Sequence, residues 1–117
     1  MVDKKTLYIP ARGDVVWMNF SPQAGHEQAG RRPALVLSPK NYNQVTGRFV
    51  VCPITSHVKG YPFEYPLPTS CPVRGVVLVD HVKNQDWKER NAELAATVES
   101  EMIDPICDMI ESLIRPD

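Results

Sequence analysis

The chain has 117 residues, 43% of them hydrophobic and 23% charged, with a net charge of −1. This length and composition describe one globular unit that buries about 65% of its unfolded surface, and they exclude a disordered or fibrous chain. The three cysteines, Cys52, Cys71 and Cys107, show no C-x-x-C spacing, which argues against a disulfide framework or a zinc site; no signal peptide and no membrane-length apolar run is expected, so the predicted compartment is the cytoplasm.

Residues 1–7 read as a flexible terminus ahead of a domain over residues 8–115. Gly13 and Asp14 mark a turn, and the apolar run at 15–20 follows as a strand, with Trp17 and Phe20 expected in the core. Residues 21–31 form a polar loop. A nearly continuous apolar run at 33–38 is a buried second strand, with Pro33 expected at its start, where a missing N–H does least harm. The Asn-rich stretch 40–47 suits a connection. Residues 48–54 make a third strand, 63–67 an edge strand, 75–79 a fifth, and 92–98 a sixth. Near the C-terminus Ile106, Met109, Ile110, Leu113 and Ile114 fall on one stripe, so a helix is predicted there. Asp104 and Pro105 suit its first turn, although Met102 and Ile103 extend the stripe back towards Ser100. Eleven prolines favour such short segments. The expected class is mainly β with a C-terminal helix, as a small, curved antiparallel barrel.

The charge is uneven. Residues 1–92 hold 12 Lys/Arg and seven Asp/Glu, while residues 93–117 hold one and seven. The larger part is suited to a polyanion and the tail is not. A polar loop carrying His26, Glu27, Gln28, Arg31 and Arg32 precedes the second strand, and Thr55 and Ser56 end the third. If these strands pair, Arg32 and Thr55 meet at one end of a sheet. A guanidinium binds two phosphoryl oxygens at once, and a hydroxyl can donate to the same group. Such equipment grips a phosphodiester. Taken singly, each residue has a plainer explanation as a solvated charge, a turn former or a cap.

The Gly-His-Glu-Gln-x-Gly-x-Arg-Pro pattern of residues 25–33 resembles the signature loop of the MazF/PemK-type toxins. The Pro-x-Thr-Ser segment at 53–56, the stretch 59–64, and the run 75–82 with its acid at Asp80 are also similar to that family, and the likeness extends from about Tyr8 to Ile114. The resemblance implies an SH3-like barrel, a homodimer, and metal-independent cleavage of single-stranded RNA with no cofactor. It also implies an antitoxin whose disordered, acidic C-terminal segment blocks the substrate groove.

By the same resemblance Arg32 and Thr55 are tied to catalysis, with His26 and Asp80 as further catalytic candidates. His26 has the best-placed ordinary pKa for a base, near 6.5. One branch of the family carries an Arg where this chain has Leu78, so an acid–arginine pair around Asp80 is not matched here. Expected substrate contacts are Glu27, Gln28, Arg31, Ser56, Lys59 and Asn43, with Arg48 a further backbone contact. The rival expectation is a non-catalytic barrel of the kind that binds and poisons DNA gyrase, which would not need the Arg32–Thr55 pair.

Overall fold

The computed structural model describes residues 8–20 and 30–115. The expected flexible terminus at 1–7 and most of the polar loop, with His26, Glu27 and Gln28, lie outside the described residues. Seven strands make one antiparallel sheet: β1 (Asp14–Phe20), β2 (Gly30–Val36), β3 (Arg48–Thr55), β4 (Glu64–Pro66), β5 (Val76–Leu78), β6 (Lys83–Asp86) and β7 (Glu93–Thr97). Their order is β4-β5-β3-β2-β1-β7, and β6 pairs with the N-terminal part of β3. The predicted class, a mainly antiparallel sheet with a C-terminal helix, is the observed one.

Alternation along the strands builds two cores, one on each face. Val15, Leu35, Cys52, Ile54 and Val77 point to one face, where Ile103 and Ile106 of α2 (Ser100–Ile114) pack on them. Val16, Met18, Phe20, Ala34, Val36, Phe49 and Val51 point to the other and close over Trp87. The sheet is strongly curled. Three strand spacings, about 14 Å in a flat sheet, separate β6 from β1. Yet the Lys83 Nζ lies 5.3 Å from the centre of the Phe20 ring.

Several expectations are corrected. Residues Lys40–Thr46 are a helix, α1, rather than a loop. Its only buried side chain is Asn43, so it shows no apolar stripe, and Gly47 at φ 71° closes it in the left-handed conformation that favours glycine. Asn43 is wholly buried: it accepts from the Ser38 hydroxyl at 2.6 Å and donates to the carbonyls of Pro10 at 2.8 Å and Ser38 at 3.0 Å. With its amide used this way, it clamps the N-terminal segment to α1 and is not a substrate contact. Trp17 is 40% exposed rather than in the core. Pro33 lies inside β2, opposite Trp17, because pairing with β1 continues to Gly30. The final helix begins at Ser100 and runs through Pro105. That proline lies close enough to the start to remove a single bond, and the apolar stripe holds the helix on the sheet. Strand β6, with the polar sequence Lys-Asn-Gln-Asp, had no apolar alternation to reveal it. Among the described residues no helix is long and apolar enough to cross a membrane.

Cys52 is fully buried, and burial pushes its thiol up to about 12, with smaller contributions from Cys107 and Asp80. A thiol whose folded pKa is raised stabilises the fold fully below its unfolded pKa, and that contribution is lost as pH rises towards the folded value. Denaturant unfolding should therefore show about 1 kcal/mol less stability at pH 10 than at pH 9 from this group. Cys52→Ala should flatten the decline; an unchanged decline in that variant contradicts the assignment.

Candidate active site

Strands β2 and β3 pair antiparallel through Val36↔Val51, Leu35↔Cys52 and Ala34↔Pro53. The ladder stops at Pro33, whose missing N–H falls on the edge facing β3, the edge from which the N–H of Leu37 donates to Val50. Beyond that point the strands keep different partners. β2 stays on β1, with Met18 opposite Arg32, and β3 stays on β5, with Thr55 opposite Val76. Continuing the β2–β3 register by two residues sets Arg32 across from Thr55. Both belong to the face that carries Met18, Ala34 and Val51, since side chains alternate along each strand. Beyond the ladder's end the two strands thus part, with Arg32 on one and Thr55 on the other, and this parting is the candidate cleft.

The two adjacent arginines have opposite fates. Arg31, on the other face, donates to Asn19 Oδ1 at 3.0 Å and to the Asn91 carbonyl at 2.8 Å, and it pairs with Glu93. It stitches β1, β2 and β7 together. Arg32 has no carboxylate partner among the described residues, and its Nε is buried without a hydrogen bond. A buried donor left unmet costs about 1–3 kcal/mol, and among the described residues none meets this one.

Thr55 is buried, and its Oγ1 accepts the His57 backbone N–H at 3.0 Å. A hydroxyl that already accepts has its own proton free to donate, here to an oxygen in the cleft. Ser56 next to it is exposed. The following segment is fastened by Glu64, whose carboxylate accepts from the backbone N–H of Lys59 at 3.1 Å and of Gly60 at 2.8 Å. The Lys59 side chain is left to solvent, with its Nζ 5.9 Å from the Tyr61 ring centre.

Asp80 lies in a short 3-10 turn (Val79–His81) after β5 and is exposed. Since Val76 is the residue level with Thr55, Asp80 is four residues further along and is not brought beside the pair. Its carboxylate is 3.9 Å from His81 Nε2. His81 was not singled out from sequence, where only its adjacency to an acid marks it. Arg48 is engaged by Asn84, donating to its Oδ1 at 2.6 Å and its carbonyl at 3.2 Å. Among the described residues no three His, Cys, Asp or Glu side chains cluster as metal ligands would.

Gly75 carries more of this geometry than its place in an apolar run suggests. At φ 130° it lies against the Thr55–Ser56 peptide, and a Cβ there would stand 2.2 Å from the Thr55 carbonyl oxygen and 2.7 Å from its carbon. Both the backbone conformation and the close approach require glycine. Gly75→Ala should cost about 2–4 kcal/mol in denaturant unfolding, from backbone strain and displacement of the Thr55 carbonyl. An unchanged midpoint would show that β5 does not hold Thr55 in this way.

Comparison with known proteins places this site in a family. Residues 11–114 match the family model described as PemK-like, MazF-like toxin of type II toxin-antitoxin system. The chain is 45% identical over 107 residues to the endoribonuclease toxin MazF of Escherichia coli K12, covering 92% of this chain and 96% of that protein. The crystal structure of MazF from Deinococcus radiodurans is similar with a TM-score of 0.85 and 52% identity, over 92% of this chain and 97% of that one. A chain of the MazE-MazF crystal structure from the same organism gives a TM-score of 0.84 and 51% identity, over 94% and 99%. With its fold and nearly its whole length matched, this chain belongs to the PemK-like, MazF-like toxins of type II toxin-antitoxin systems.

Proposed function

We propose that the protein is a sequence-specific endoribonuclease that cuts single-stranded RNA in the cytoplasm as the toxin of a toxin–antitoxin pair. The observation that carries this reading is the register that sets Arg32, which has no carboxylate partner among the described residues, level with Thr55 where the β2–β3 ladder ends. The names of the relatives support it: endoribonuclease toxin MazF for one, and a MazE-MazF structure for another.

RNA brings its own nucleophile. The 2′-hydroxyl oxygen attacks the adjacent phosphorus, the P–O5′ bond breaks, and a 2′,3′-cyclic phosphate and a 5′-hydroxyl remain. A base takes the 2′-hydroxyl proton and an acid returns one to the leaving O5′. No metal is needed if a protein cation carries the charge that builds on the non-bridging oxygens. Arg32 does this with two N–H groups, and Thr55 adds a hydroxyl donor whose oxygen is already fixed by His57. Arginine stays protonated and threonine is a poor base, so the proton falls to others. His26 is the candidate that the family resemblance supplies for it, since Asp80 is not brought beside the pair. Glu27, Gln28, Ser56 and Lys59 are the proposed contacts that read bases and backbone. The apolar groove between β3 and α2, lined by Leu37, Val50, Val82, Ile110 and Ile114, suits the second subunit of a homodimer. The regulating partner is an antitoxin whose acidic, disordered segment occupies the cation-bearing cleft in place of RNA.

Purified protein incubated with RNA in EDTA should leave ends with 2′,3′-cyclic phosphate and 5′-hydroxyl at a small set of sequences. Arg32→Ala should lower the cleavage rate by a factor of about 10²–10³ with the fold intact by circular dichroism. Intact RNA with the wild-type protein, together with tight binding to gyrase, would replace this reading with the non-catalytic one.

A further inference from the structure

The curl of the sheet delivers one more cation to the cleft. Lys83 opens β6 and pairs with Val51 of β3. Val51 belongs to the same face as Met18, Phe20 and Ala34, the face that Arg32 and Thr55 continue. Its Nζ sits 5.3 Å from the centre of the Phe20 ring. Phe20 in turn faces Gly30, two residues from Arg32 along β2. Gly30 has no side chain, and among the described residues even a Cβ placed there would meet nothing within 4 Å. Two independent routes, strand register and ring contact, therefore place Lys83 on the Arg32 side of the molecule.

Its neighbours explain why the charge is available. Arg31 is neutralised by Glu93 and Arg48 is occupied by Asn84, whereas Lys83 has no carboxylate within ion-pair distance among the described residues. Cation–π contact with a nearly buried ring fixes where the ammonium stands and leaves its three N–H donors for an oxygen acceptor. The Nζ, at Phe20, is level with Gly30, two residues or about 7 Å along β2 from Arg32. That span suits a short extended oligonucleotide with one phosphate at Arg32 and a flanking one at Lys83.

We propose that Lys83 is a substrate-binding residue that holds a phosphate flanking the scissile one, with Phe20 as its seat. The inference rests on the ribonuclease reading and adds a residue to it. A compact point charge on a flexible stem suits a phosphate that must be held but not transformed. Lys83 should therefore act on binding and leave the chemical step alone.

The test uses the full chain and an oligonucleotide of a sequence that the wild-type protein cuts, made uncleavable by 2′-O-methyl groups. Lys83→Gln should weaken binding about tenfold at low salt and reduce the slope of log affinity against log salt by about 0.7, the loss of one phosphate contact on a single strand. With cleavable RNA, KM should rise by a similar factor while kcat stays within about twofold. Lys83→Arg should restore the slope. Lys83→Met, which keeps an apolar stem over Phe20, should behave as Lys83→Gln with an unchanged urea midpoint. Wild-type affinity and slope in Lys83→Gln overturn the proposal, as does an equal loss in Lys83→Arg. A wild-type protein that cuts no RNA overturns the ribonuclease reading itself, and this inference with it.

Discussion

Pro33 lies where the pairing of β2 and β3 ends, and the site depends on the donor it removes. A sheet continues as long as each strand can donate to the next. Pro33 has no N–H to give to Ile54 across from it, which leaves the ladder with nothing to continue on, while the missing N–H of Pro53 lies on the opposite edge of β3. Each strand remains anchored on its far side, β2 by β1 and β3 by β5, so both stay extended after they part. Arg32 and Thr55 are the residues immediately past the break. A cleft made this way has rigid walls, because its side chains are mounted on paired strands rather than on free loops. Catalytic positioning benefits directly from such mounting.

The electrostatics follow from the same alternation. Neighbouring arginines on one strand necessarily face opposite sides, so Arg31 can be spent on Glu93 while Arg32 keeps its charge for the cleft. The helix α2 packs the opposite core through Ile103 and Ile106 and keeps its acidic residues away from Arg32. Gly75 and Glu64 then fasten the segment from Thr55 to Gly60 from behind, one by close backbone approach and one by accepting its amide protons. Cation, donor and support thus come from separate elements, each with a local reason for its place.

Much of this was legible in the sequence where the signal is local. Apolar runs located β1, β2, β3, β5 and β7, alternation located β4, and the resemblance of residues 25–33 and 53–56 to a toxin family named Arg32 and Thr55. What escaped depends on contacts distant in sequence. α1 shows no apolar stripe because the one side chain it buries is an amide, Asn43, so an Asn-rich stretch read as a connection and its central residue as a substrate contact. β6 is polar on both faces, so Lys83 looked like any surface lysine until the curl of the sheet set it over Phe20. Gly75 looked like the start of a strand, and only the nearness of Thr55 shows why no side chain fits. Pro33 was expected at the start of a strand; it lies inside one, ending the ladder with β3 while that with β1 continues past it.

The central claim is that Arg32 and Thr55 act on one phosphate from facing strands. A double-mutant cycle on single-turnover cleavage measures this directly, comparing Arg32→Ala, Thr55→Val and the double variant, each checked for an intact fold. Groups that share one phosphate act as a unit, so the double variant should be little slower than Arg32→Ala alone, a coupling of about 1–3 kcal/mol. Effects that simply multiply would mean that the two side chains serve separate steps or separate sites, and the account of the cleft would fail.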